Sequence, residues 1–120
     1  MLDQLVEKLK AAGLDVRPDE TIRGTSGRLH HFDCVVSGKR TVVLDRIACS
    51  HPELSILGLY TKMFDCGLSS AFAIVDRPTE KISALAGLYH IQIIPQNENA
   101  EMTVQKVRRI LQEEIKKNGK

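Results

Sequence analysis

Residues 24–50, GTSGRLHHFDCVVSGKRTVVLDRIACS, constrain this chain more than any other stretch. Two runs rich in β-branched and apolar residues, 29–36 and 41–48, flank Ser37-Gly38-Lys39-Arg40. A glycine in so short a loop signals a β-hairpin. Each run carries one aspartate, Asp33 in the first and Asp45 in the second. A three-residue loop at Gly38, Lys39 and Arg40 pairs Ser37 with Thr41. Counting back, Val35 faces Val43, Asp33 faces Asp45, and His31 faces Ile47. Side chains alternate across a strand, so His31, Asp33, Asp45 and Ile47 are expected on one face. Opposed carboxylates stand about 5 Å apart at Cβ and repel, so such a pair calls for a cation or a shared proton. A divalent-metal site is the sharper implication. A loop one residue different in length would instead send the aspartates to opposite faces.

Around this hairpin the pattern alternates helix and strand. Leu2, Leu5, Val6, Leu9 and Ala12 recur at helical spacing, and Gly13 ends that helix. The stretch 14–18 is extended, an edge strand because of Pro18, and 21–24 continues it. Gly24-Thr25-Ser26-Gly27 is expected to be a flexible loop; with no helix following it, a lone GTSG is too weak a signal for a phosphate loop. Ser50 and Glu53 form a capping-box pattern with Pro52 in the first turn, predicting a helix to about Asp65 closed by Cys66-Gly67. Its apolar residues (Leu54, Ile56, Leu57, Leu59, Tyr60, Met63, Phe64) surround most of the helix, which predicts burial.

Residues 71–75, AFAIV, form a continuous apolar run, the mark of a strand covered on both faces. Asp76 can cap a helix over 78–86 ended by Gly87, and 90–94 is a further strand stopped by Pro95. This βαβ unit predicts a parallel pair. Asn99 can cap a last helix over about 100–117, with Val104, Val107, Ile110 or Leu111, and Ile115 as its apolar stripe. The fold class is therefore α/β. A mixed central sheet, an antiparallel meander plus a parallel βαβ unit, is flanked by helices in one domain over 1–120, with a core over about 2–95.

Composition narrows the function classes. No apolar run is long enough to cross a bilayer, and MLDQLVEKLK has the pattern of neither a signal nor a transit peptide. Cys34, Cys49 and Cys66 are odd in number and lack zinc spacing, which suits reduced, buried thiols in a cytoplasmic protein. The net charge of +2 does not announce a nucleic-acid binder, although Arg17, Arg23, Arg28, Lys39, Arg40 and Arg46 crowd the first half.

Order and motif together resemble the restriction-endonuclease-like superfamily, the PD-(D/E)xK nucleases, in the branch of Mrr-type enzymes and archaeal Holliday-junction resolvases. The matching pieces span about Leu2 to Pro95. They are a first helix ending AAGLDV, then GTSGRLHHFDCVV, GKRTVVLDRIA, a helix closing FDCGLSSAFAIVD, and one ending LAGLYHIQIIP. The resemblance implies that Asp33 and Asp45 are the metal-binding acids, holding Mg²⁺ that polarises a phosphodiester and activates water. Glu7 would be the upstream acid of the first helix. The departure lies at the lysine, because Ile47 stands where the family's catalytic Lys follows the second acid. Arg46 is adjacent, but alternation points it away. Lys62 on the next helix is the candidate for a relocated lysine. His31, two residues before Asp33, is a candidate third ligand, general base or relieving cation, and equally a satisfied strand histidine. His30 should face the other way, and His51 and His90 are expected to be structural.

Three functions follow. The leading one is a nuclease-like domain that has lost catalysis, with Mg²⁺ binding weak or lost. It would serve as a DNA-binding or assembly module, with Arg23, Arg28, Lys39 and Arg40 meeting nucleic acid. The second is an active Mg²⁺-dependent endonuclease or resolvase using Asp33 and Asp45 with His31 or Lys62. The third is a dimeric scaffold whose last amphipathic helix meets the partner. A homodimer or a larger complex is expected in each case.

Overall fold

The structure, a computed structural model, describes residues 2–48 and 50–112. The order is α1 (Leu2–Ala11), β1 (Asp15–Arg23), β2 (Leu29–Ser37), β3 (Thr41–Arg46), α2 (Pro52–Asp65), β4 (Ala71–Val75), α3 (Glu80–Leu88), β5 (Ile91–Pro95) and α4 (Ala100–Gln112). The strands form one mixed sheet in sequence order, with β1, β2 and β3 antiparallel and β3, β4 and β5 parallel. Cys49 and the predicted end of the last helix, Ile115 included, lie outside the described residues.

Two apolar cores lie against the sheet. Leu5, Val6 and Leu9 of α1 join Val104, Val107 and Leu111 of α4 against Val36, Val42, Leu44, Phe72 and Ile74. On the other side Ile56, Leu59 and Met63 of α2 join Ile82 and Ala86 of α3 against Val35, Val43, Ala71, Ala73 and Val75. Consecutive strand residues thus feed opposite cores, as the pleat requires. Strand β4 is buried along its whole length because helices cover both of its faces.

The central hairpin has the register expected from its loop, with Ser37 opposite Thr41 and Val35 opposite Val43. Several ends differ from the sequence reading. No capping box forms at α2: His51 is the N-cap residue and its side chain makes no cap bond. Thr79 rather than Asp76 caps α3, its Oγ1 accepting from Ile82 N at 3.2 Å. A hydroxyl one position ahead of the first turn outcompetes a carboxylate three residues further back. Gly87 lies inside α3, and the turn to β5 is made by His90 at φ +63°. The expected wrap-around burial of α2 holds on one side alone: Leu54, Leu57 and Phe64 are exposed. The sheet and α3 between them reach only part of that helix.

Candidate functional site

Strands β1 and β2 change faces along their length. Val16 and Cys34 belong to the core under α1 and α4, yet Ile22 and Phe32, an even number of residues away, pack into the core under α2 and α3. The change falls where the pairing passes from Pro18 opposite Cys34 to Glu20 opposite Phe32. Between them Asp19 takes φ +52°, a left-handed backbone that aspartate tolerates better than most residues. Asp33 is its neighbour on β2, and here the β2–β3 ladder also ends, at Cys34 opposite Leu44.

Aspartate side chains carry the strand connection onward. Asp33 N donates to Asp45 Oδ1 at 2.7 Å, and Arg46 N donates to Asp33 Oδ2 at 2.8 Å. Each carboxylate takes the acceptor role that a strand carbonyl would otherwise fill. Asp33 and Asp45 therefore stand against each other at the mouth of the opened hairpin. The Arg46 side chain, assigned by alternation to the far face, brings Nε to 3.4 Å from Asp33 Oδ2. Strand β3 keeps its alternation here, with Leu44 in one core, Ile47 in the other and Arg46 paired with Ile74; it is β2, changing faces at Asp33, that brings the carboxylate round to Arg46.

From α2, Lys62 reaches the same place. Its Nζ lies 2.6 Å from Asp45 Oδ2 and 2.6 Å from the carbonyl oxygen of His31, and 4.6 Å from the centre of the Phe32 ring. Helical periodicity aims it there, since Lys62 adjoins Met63 and lies three residues beyond Leu59, both packed on the sheet. Asp45 is 8 % exposed, and burial raises its carboxyl above the usual carboxylate range despite the opposing pull of Lys62 and Asp33 N. Ile47, at the position of the expected lysine, is buried in the core beneath α2 and α3.

His31 turns its ring outward, with Nε2 3.2 Å from Asp19 Oδ1. Asp19, His31 and Asp33 offer one ligand atom each within 4.8 Å of one another. Ligands around Mg²⁺ at about 2.1 Å stand about 3 Å apart when adjacent and about 4 Å when opposed. The three side chains are close enough together to be candidate ligands of a divalent ion. Among the described residues, Asp33 Oδ1 accepts no hydrogen bond, which leaves it open for coordination. An imidazole ligand would suit Mn²⁺ better than Mg²⁺. Asp19 was not singled out by sequence; the one available signal was an aspartate one residue after a proline in an edge strand.

The other candidates lie elsewhere. Glu7 is exposed on α1, which packs on the face opposite α2. Arg23 and Arg28 sit at one end of β2 and Lys39 and Arg40 at the other, eight residues and about 26 Å apart. Arg23 donates to Gly27 O at 2.8 Å, and Arg40 holds Ser69 and Ser70 Oγ at 2.9 and 2.8 Å. These four cations therefore bracket the site rather than form one patch.

The Gly24–Gly27 loop, expected to be flexible, is tied to the end of α2. Asp65 accepts from Ser26 Oγ at 2.6 Å, Ser26 N at 3.0 Å and Thr25 Oγ1 at 3.0 Å, with His30 Nε2 at 2.8 Å. Ser26 Oγ therefore donates to a carboxylate rather than to an imidazole. A Cβ at Gly24 would lie 2.1 Å from Asp65 Oδ2, so only glycine admits this approach. His30 and His31 consequently serve different clusters. Cys34 is fully buried, and burial pushes its thiol up to about 11, which makes it inert.

No known protein family matches the chain, and no curated protein matches it. No helix among the described residues is long and apolar enough to cross a membrane.

Proposed function

We propose that this chain is a nuclease-type, metal-dependent phosphodiesterase domain of the restriction-endonuclease-like kind, with its catalytic lysine carried by α2 instead of β3. The observation that supports this most is Lys62 Nζ at 2.6 Å from Asp45 Oδ2, beside Asp33. Lys62 of α2 meets the Asp45 carboxylate of β3, which also accepts from the backbone N of Asp33 on β2, and the aliphatic Ile47 withdraws into the core.

An ion bound at Asp33, with Asp19 and His31 nearby, would polarise a phosphodiester and acidify a bound water. Lys62 offsets the negative charge that develops on the phosphate, a role that depends on its position rather than on the element that carries it. Asp45 holds the Lys62 ammonium in place, and the Phe32 ring face supports the same charge. Arg46 stands close enough to Asp33 to add positive charge at the mouth, and the cations at both ends of β2 suit a polyanion lying across it.

One observation favours a second reading, a module that keeps the nucleic-acid surface but not the chemistry. Both Asp45 oxygens and the Lys62 ammonium are already bonded within the chain. Supercoiled plasmid and a four-way DNA junction, each with Mn²⁺ or Mg²⁺, separate the two. Cleavage lost in both Asp33→Asn and Lys62→Met supports the first. DNA and Mn²⁺ binding without cleavage supports the second, and absence of both kinds of binding overturns the two together.

A further inference from the structure

The last turn of α2 meets β2 at two consecutive strand residues. Lys62 Nζ donates to the His31 carbonyl oxygen at 2.6 Å, and Asp65 Oδ2 lies 2.8 Å from His30 Nε2. Residues three apart share a helix face, so both contacts come from one side of α2. Ser26 Oγ at 2.6 Å, with Ser26 N and Thr25 Oγ1 both at 3.0 Å, completes the set of groups around the Asp65 carboxylate. The backbone joins in as well, since Thr25 N donates to the Asp65 carbonyl oxygen at 2.8 Å.

Nothing within α2 calls for an acid at this place. Asp65 is the last residue of the helix, where the dipole disfavours a negative charge. Gly24 serves the same contact, because a Cβ there would collide with Asp65 Oδ2. Core packing alone fixes this turn loosely. Met63 is its last buried side chain, and an unbranched thioether adapts to small shifts of the backbone. Yet a slip of α2 by one residue would carry Lys62 about 1.5 Å along the axis and swing it by about 100°. The swing alone would take the ammonium away from Asp45.

We infer that Asp65 is the positioning residue for Lys62: by clamping the 24–27 loop and His30, it fixes the last turn of α2 where the ammonium reaches Asp45. Its effect on cleavage rests on the role proposed for Lys62, whereas the placement of the ammonium does not.

Competitive acetylation of the full chain, followed lysine by lysine in mass spectrometry, reads that placement. Lys106 is a matched control. Its side chain is 29 % exposed against 27 % for Lys62, and it pairs with Glu98 from α4, on the opposite face of the sheet. In Asp65→Asn, Lys62 is expected to react about fivefold faster with Lys106 unchanged, the mark of local rather than global opening. Ser26→Ala removes the shortest of the four side-chain contacts at Asp65 and is expected to give a smaller rise, again at Lys62 alone. It decides the matter if Asp65→Asn does not fold. In the plasmid assay with Mn²⁺, Asp65→Asn is expected to lower kcat by about ten- to a hundredfold with KM little changed, as misplacement of a catalytic group does. If the wild type does not cleave, the catalytic reading fails and acetylation alone decides the placement. An unchanged Lys62 in the folded variants overturns the inference, and so does an equal rise at Lys62 and Lys106.

Discussion

Lys62 and Asp45 hold each other in place, and neither is fully in water. Removing the cation alone leaves Asp45 with a buried charge and no counterion. Breaking a wholly buried pair costs about 3–5 kcal/mol, but the Lys62 side chain is 27 % exposed and water reaches it. Lys62→Met should therefore cost about 2 kcal/mol in urea unfolding. Adding Asp45→Asn removes the stranded charge, and its side-chain oxygen can still accept from Asp33 N. The double variant should recover at least half of that loss, a coupling that contact pairs show and distant pairs do not. Strictly additive costs would mean that the ammonium and carboxylate do not meet in solution. The two aspartates were legible in the sequence because β-branched runs rarely carry carboxylates. Asp19 was not, because a left-handed residue in an edge strand leaves no periodic trace.

At the scale of elements, the most consequential tie joins the Gly24–Gly27 loop to the end of α2. Three donors and the His30 ring hold the Asp65 carboxyl well below the usual carboxylate range, the Ser26 hydroxyl foremost. A depressed folded pKa adds stability that is complete above the unfolded value of about 3.9 and drains away as pH falls below it. Asp65→Asn should be less stable than the wild type at pH 6, and the gap should narrow steadily from about pH 5 to pH 2. A gap constant across that window, in chemical unfolding followed by circular dichroism, would disprove the assignment. Strands, helices and their order were legible because helical and strand periods differ and glycine or proline marks the joins. The anchor of the GTSG loop was not legible for a physical reason. It is a carboxylate about forty residues away, and composition alone carries no long-range contact.

Over the whole molecule, the sheet is a single file in which β1 pairs with β2 alone. The β1–β2 ladder is interrupted at Asp19 and Asp33, where the strands change faces, so the edge is weakest where the acids gather. An ion shared by Asp19 on β1 with His31 and Asp33 on β2 would bridge this gap. Binding to the folded chain alone stabilises it by about 2.7 kcal/mol at a hundred times the Kd. For a domain of this size that corresponds to a rise of about 10 °C in Tm. Mn²⁺ should therefore raise the Tm, Asp33→Asn should abolish the rise, and Asp19→Asn and His31→Gln should each diminish it. Asp45→Asn should lower the starting Tm yet keep part of the Mn²⁺ response, because both Asp45 oxygens are bonded within the chain. If the rise survives Asp33→Asn, the ion sits elsewhere. If Asp45→Asn alone removes it, the ion lies between the two strand acids, and the β1 edge contributes nothing to holding it.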